Sequence, residues 1–346
     1  MPFISVVSGC FNESSNVREL YERVTRVFRE ELPDYRFEFI LIDNASTDNT
    51  FALLQEIAGT DKRVKLIRNN RNFGHIRSCY HALLQASGQA VVVMASDLQD
   101  PAELIPQFVA QWEAGHKVVM AQKTTSEESR FVFLARKAYY GVLNRLSEVP
   151  LKENVTGFGL YDRAVVENIR RLADPYPYFR GLISELGYEP FLILFRQPKR
   201  KGGVTHSTLY VLYDMAMLGL TNHSKVPLRL AVISGFFLGL LSFLVAFGYL
   251  VYKLLFWNNF QVGTAPIVIG LFFLGSVQLI FTGILGEYLG ALHTQVLRRP
   301  PVVEKERINF DNTQPRVTFQ EAASSIPEPA ITSDSLEKLQ ASVRES

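Results

Sequence analysis

The chain has 346 residues, room for one sizeable α/β domain and a second unit. Its 36 Lys and Arg against 34 Asp and Glu leave a net charge of +2, which gives no nucleic-acid footprint. Two cysteines, Cys10 and Cys79, exclude a disulfide framework, fit a reducing compartment and, without a Cys/His cluster, suggest no zinc.

Phe3 to Val7 reads as an apolar core strand. No basic region and apolar h-region precede it, so no signal peptide is expected and the first domain stays in the cytosol. The strand breaks at Ser8–Asn16, and Val17, Leu20, Tyr21, Val24, Val27 and Phe28 then take the spacing of an amphipathic helix. A second strand, Phe37–Ile42, runs into Asp43-Asn44-Ala45-Ser46-Thr47-Asp48-Asn49-Thr50. Asp43 at a strand C-terminus can accept hydrogen bonds from a base or ribose, whereas Asp48 and Thr50 suit a helix cap. A third strand, Val64–Ile67, leads to Arg68–His75 and a helix over Ile76–Ala86. Arg71 and Arg77 suit either a pyrophosphate or solvent, and His75 could polarise a phosphate, although a lone His is a weak signal.

The fourth strand, Ala90–Met94, ends in Ala95-Ser96-Asp97-Leu98-Gln99-Asp100-Pro101, at the edge where α/β sheets bind ligands. Asp97 and Gln99, two residues apart in extended chain, offer hard oxygens to Mg²⁺ or Mn²⁺. The same stretch also suits helix capping, with Asp100 as N-cap and Pro101 at the first helical position. Alternating strands and helices predict a mostly parallel sheet with helices on both faces. No GxGxxG follows the first strand, so a dinucleotide site lacks its phosphate turn.

Trp112 and Val118–Ala121 read as another strand, followed by Gln122-Lys123-Thr124-Thr125. The aromatic and basic run 130–146, with Arg130, Arg136, Lys137 and Arg145, predicts a helix that lies either at a membrane surface or in the core.

The ordered series Val6-Val7…Asn12-Glu13, Ile42-Asp43-Asn44-Ala45-Ser46-Thr47-Asp48, Arg71-Asn72-Phe73-Gly74 and Ser96-Asp97-Leu98-Gln99-Asp100-Pro101 resembles the family-2 glycosyltransferase core. Within it, the chain is similar to the polyprenyl-phosphate glycosyltransferases, the group of dolichyl-phosphate mannose synthase and bactoprenol glucosyl transferase. The resemblance implies a Rossmann-like, nucleotide-sugar-binding GT-A fold. In it Asn12, Glu13, Asp43, Asn72, Ser96 and Asp97 bind the nucleotide, and Asp97 with Gln99 binds Mg²⁺ or Mn²⁺. Two departures stand out: the usual Asp-Asp pair is Asp43-Asn44, and the usual Asp-Xaa-Asp is Ala95-Ser96-Asp97. Lys123 falls in a segment that is commonly basic, and Thr156-Gly157-Phe158 matches the Ser/Thr-Gly-Phe segment. Gly157 replaces an Asp found in some relatives, so no catalytic base carries over there, and Glu153 is a weak substitute. Arg196–Ser207 resembles the basic loop that closes over the donor diphosphate. Arg200 and Lys201 would neutralise phosphates, with Arg200 beside Asp97 as catalytic; Arg130 and Arg136 would join them around the acceptor phosphate. The bland reading of that loop is a juxtamembrane cluster attracted to anionic lipid.

No charge lies between Arg229 and Lys253, nor between Lys253 and Glu287, so two transmembrane helices are expected at about 230–252 and 265–285. Lys225, Arg229, Arg298 and Arg299 flank them, which puts both termini in the cytoplasm. Their glycines suit close packing and allow a homo-oligomer. The expected organisation is a cytosolic glycosyltransferase domain over 1–205, a juxtamembrane helix over 206–228, a hairpin over 229–292 and a flexible tail over 293–346.

These readings converge on inverting transfer of a hexose, glucose first, from a UDP-sugar to undecaprenyl phosphate at the inner membrane. GDP-mannose is the alternative donor. A processive polysaccharide synthase is disfavoured because neither Trp112 nor Trp257 sits in a Gln-Xaa-Xaa-Arg-Trp motif. A non-catalytic sugar-nucleotide scaffold is the rival from another class.

Overall fold

The computed structural model describes residues 1–124, 155–172, 174, 179–198, 217, 224–255, 264–297 and 299–310. The expected helix over 130–146, Glu153, Trp257 and the site candidates Arg130, Arg136, Arg200 and Lys201 lie outside the described residues.

The chain opens β1 (Phe3–Cys10), α1 (Val17–Glu30), β2 (Arg36–Asp43), α2 (Thr50–Thr60), β3 (Val64–Asn69), α3 (His75–Gln85) and β4 (Ala90–Ala95). A short 3₁₀ turn at Ala102–Leu104 precedes α4 (Ile105–Glu113) and β5 (Val118–Lys123). Then come β6 (Val155–Asp162), α5 (Arg163–Leu172), α6 (Phe179–Glu185), β7 (Phe191–Phe195), α7 (Val226–Leu255), α8 (Thr264–Leu297) and β8 (Glu304–Ile308). All eight strands form one sheet in the order β7-β5-β6-β4-β1-β2-β3-β8.

The sheet is mixed. β1 pairs in parallel with β2 and β4, β2 with β3, and β5 with β7. β6 runs antiparallel between β4 and β5, and β8 antiparallel along β3. The expectation of a mostly parallel sheet therefore holds for the first half and gives way at β6 and β8.

Successive side chains in β2 take opposite faces. Phe39 and Leu41 join a core layer with Ile4, Val6 and the apolar stripe of α1, while Ile40 and Ile42 join Val7, Tyr80 and Val166 in the layer beneath α3 and α5. Burial on both faces explains why these strands read as unbroken apolar runs. Glycine is required where β6 crosses β5, because a Cβ on Gly159 would stand 2.2 Å from Val119 O.

Four expectations change. Trp112 belongs to α4, not to a strand, and its indole Nε1 donates to Asp162 at 2.8 Å. Asp100 does not cap a helix from its own position: its Oδ2 accepts the Ala95 N–H at 2.9 Å, and Pro101 precedes the 3₁₀ turn with extended backbone. The apolar helices run beyond the expected spans, from Val226 to Leu255 and from Thr264 to Leu297.

The tail is the fourth. Residues 302–310 are ordered against the sheet: Val302 is buried, Asn70 N donates to Val303 O at 2.9 Å, and β8 occupies the open edge of β3. A charged strand, Glu-Lys-Glu-Arg-Ile, has no apolar period, so only the free hydrogen-bonding edge of β3 reveals it.

Within α7 and α8, Val226–Val245 and Phe273–Leu297 are long and apolar enough to cross a bilayer. The two helices touch where Gly235 faces the Phe281 ring. Tyr288 on α8 donates to Ser224 O, just before α7, at 2.6 Å.

Candidate active site

The C-terminal ends of β1, β2, β4 and β5 lie at one edge of the sheet, because these four strands point the same way. Cys10, Asp43, Ala95 and Lys123 are their last residues. The loops that leave this edge are bent sharply. Asn12, Ala45 and Leu98 hold left-handed backbone with φ of 56°, 59° and 62°, a conformation that costs a non-glycine residue energy and collects at functional sites.

Two of these loops are laced together. Asn12 N donates to Ser46 Oγ at 3.0 Å and Thr47 N to Asn12 Oδ1 at 2.8 Å. Glu13 N donates to Thr50 Oγ1 at 2.8 Å, and Ser14 N to Asp48 Oδ2 at 3.2 Å. Asp48 also accepts from Thr50 N at 3.0 Å, an amide of the first turn of α2, but the N-cap position itself is Asn49 and Thr50 lies inside the helix. Asp43 is fully buried at the end of β2, with Ser46 N near both carboxylate oxygens at 3.2 and 3.3 Å and Arg68 Nε at 3.8 Å. Burial raises its pKa, and the Ser46 contacts and Arg68 oppose that rise.

The loop after β4 is pinned at both ends. Ser96 is buried and donates its hydroxyl to Gly9 O at 2.8 Å, which ties this loop to the end of β1. Gln99 N donates to Asp97 Oδ1 at 3.1 Å, and Gln99 Nε2 reaches Pro198 O at 3.4 Å. Asp97 and Gln99 remain partly exposed, while Asp100 is buried beneath them. Burial and the Asp97 charge push the Asp100 carboxyl up to about 6, against the Ala95 N–H bond and the charges of Lys123 and His75.

The structure thus gathers Asn12, Asp43, Asp97, Gln99 and Lys123 at one edge. Glu13 is buried beneath them and accepts from Asn16 Nδ2, and Asn72 sits exposed on the turn after β3. Sequence reasoning missed Arg68, which stacks over Phe51 at 4.0 Å, and Asn44 and Asn69, whose amides bond each other. Arg68 and Asn69 are marked in the sequence by position after a strand, and Asn44 by its departure from the Asp-Asp pair. The sequence left His75 open; Cys79 Sγ stands 3.5 Å from its Nδ1 over Gly9.

Among the described residues no three His, Cys, Asp or Glu side chains converge as a metal cluster. Leu98 between Asp97 and Gln99 holds left-handed backbone, so the extended geometry expected to set the two side chains on one side is absent; each residue still carries a hard oxygen of the kind a divalent ion takes.

Parallel strands that end in loops carrying Asp43 and Asp97 place these residues at the edge where α/β sheets bind ligands. The Glycosyl transferase family 2 model matches residues 5–170. The bactoprenol glucosyl transferase of Shigella phage SfII is 33% identical over 304 residues, covering 88% of this chain and 97% of that protein. That of Shigella phage SfV is 33% identical over 303 residues, covering 87% and 98%. A solved glucosyl-3-phosphoglycerate synthase from Mycobacterium tuberculosis is 16% identical over 64% of this chain and 78% of its own, with a TM-score of 0.43; at that distance its ligands carry no weight here. The chain belongs to glycosyl transferase family 2 and, within it, to the polyprenyl-phosphate glycosyltransferases.

Proposed function

We propose that this enzyme transfers glucose from UDP-glucose to a polyprenyl phosphate, undecaprenyl phosphate in bacteria, with inversion at the anomeric carbon. The observation that carries the reading is the 33% identity to a bactoprenol glucosyl transferase over 97% of that protein's length, apolar helices included. A polar donor site followed by two membrane-length helices suits one substrate from water and one from the bilayer. On this reading the protein is an integral membrane protein of the cytoplasmic membrane, with both termini and the sheet on the cytoplasmic side.

The residues divide the work as follows. Asp43 accepts hydrogen bonds from the nucleoside, and Asn12, Glu13 and Asn72 shape the surrounding loops. Asp97 and Gln99 hold Mg²⁺ or Mn²⁺, which when bound supplies positive charge to the diphosphate. Lys123, Arg200 and Lys201 neutralise phosphate oxygens, and Arg130 and Arg136 hold the acceptor headgroup. A phosphate monoester has its second pKa at about 6, so the acceptor is already a nucleophile at neutral pH. Its oxygen attacks the anomeric carbon as the bond to the leaving diphosphate breaks. No strong general base is needed, which accords with Gly157 at a position where some relatives carry Asp. Electrostatic placement carries the rate.

The test is transfer of label from radiolabelled UDP-glucose into organic-extractable lipid, using membranes supplied with undecaprenyl phosphate, with and without Mg²⁺ or Mn²⁺. Ion-dependent lipid label is expected. Label only from another nucleotide sugar, GDP-mannose included, corrects the donor. Nucleotide binding with no transfer from any donor favours a non-catalytic scaffold.

A further inference from the structure

We propose that Asn44 is a positioning residue for the nucleotide-sugar donor, acting through Asn72 by tying the turn Arg71–Gly74 to the ends of β1 and β2. The donor role of this edge is the reading given above, on which the proposal rests.

Asn44 is buried and every polar atom of its side chain is used in a fixed sense. Its Oδ1 accepts from Phe73 N at 2.9 Å and from Asn69 Nδ2 at 3.0 Å. Its Nδ2 donates to Asn72 Oδ1 at 2.8 Å, and the same Asn72 oxygen accepts from Gly74 N at 2.8 Å. Backbone N–H groups only donate, so Phe73 and Gly74 fix the orientation of both amides. Asn44 N in turn donates to Cys10 O at 2.9 Å. One residue therefore joins the ends of β1 and β2 to the turn that carries Asn72 and starts α3. Gly74 has a φ of 89°, so this turn has a shape that must be held rather than one that a generic chain adopts.

The chemistry at position 44 is specific to an amide. A carboxylate would still accept from Phe73 and Asn69 but has no proton for Asn72, and it would set two acceptor oxygens against each other. If Asn72 flipped to donate, Gly74 N would lose its acceptor. The position that reads in sequence as a missing carboxylate is, in the fold, a connector that a carboxylate would break.

The experiment is N44D in the full chain, with N44A beside it. N44D is expected to raise the donor KM about tenfold, the scale of one buried hydrogen bond, while kcat changes by less than about twofold. Hydrogen exchange is expected to quicken at residues 71–75 and to stay slow in β1 and β4. N44A removes all three side-chain bonds and is expected to raise the donor KM at least as far. An unchanged or lowered donor KM in N44D overturns the proposal, and so does faster exchange spread over the whole sheet. If the wild-type chain transfers no sugar from any donor, the functional reading has failed, and exchange at 71–75 alone then decides whether Asn44 holds the turn.

Discussion

Ser96 Oγ donates to Gly9 O at 2.8 Å, so the loop that carries Asp97 hangs from the end of the neighbouring strand β1. Asp97 itself is partly exposed, and its Oδ1 accepts a local bond from Gln99 N. The two residues should therefore separate support from chemistry. Asp97→Ala is expected to abolish transfer and leave the thermal midpoint within about 1 °C, since a partly exposed loop residue contributes little to stability. Ser96→Ala is expected to lower stability by about 1 kcal/mol, the net worth of one buried hydrogen bond, and to reduce transfer only in part. Thermal melts and lipid-label assays on both variants check this; normal turnover in Asp97→Ala would refute the site.

Ala45 holds a φ of 59° directly after the Asp43-Asn44 pair. An alanine Cβ crowds the backbone there, and glycine escapes that strain at some cost in unfolded-chain entropy. Ala45→Gly is expected to stabilise the fold by about 0.5–1 kcal/mol, read as a rise in the thermal midpoint. A fall would mean that the backbone at this turn carries no strain.

Gly159 bears on the fold alone. A Cβ there would meet Val119 O at 2.2 Å and Met120 Cα at 2.9 Å, both backbone and neither free to rotate away. Gly159→Ala is expected to part β6 from β5 and to destabilise the protein by about 3 kcal/mol or more, as overpacking of a rigid contact does. Denaturant unfolding measures it, and a midpoint equal to wild type would contradict the strand contact.

Glu304 on β8 bonds His81 on α3 and Arg307, while Arg307 Nη2 donates to Gln85 Oε1 at 2.8 Å. Burial works against the Glu304 charge, but the His81 and Arg307 hydrogen bonds outweigh it and hold its pKa down to about 2. A depressed carboxylate stabilises the folded state fully above its unfolded value of 4.5, and that contribution disappears as pH falls through the folded value. Glu304→Gln should therefore be less stable than wild type at pH 7, and the gap should close between about pH 4.5 and pH 2. Thermal midpoints of both proteins across that range decide it. A constant gap would show that the carboxylate charge is not what holds β8.

The sequence by itself determined the alternating strands and helices through Ala95, the edge at which Asp43 and Asp97 emerge, and the two membrane-length helices. In each case the information is local: apolar runs set the buried strands, a 3.6-residue stripe sets α1, and uncharged intervals set the spans. Only the tertiary structure decided the rest, because it depends on partners distant in the chain. β8 has no apolar pattern and exists because β3 leaves an edge open beside it. Asp100, a plausible cap by its neighbours, turns back to Ala95. The Ser96 bond to Gly9 O and the Asn44 bond to Asn72 Oδ1 are equally invisible in the sequence, for a polar side chain takes its partners from whichever donor or acceptor the fold brings to it.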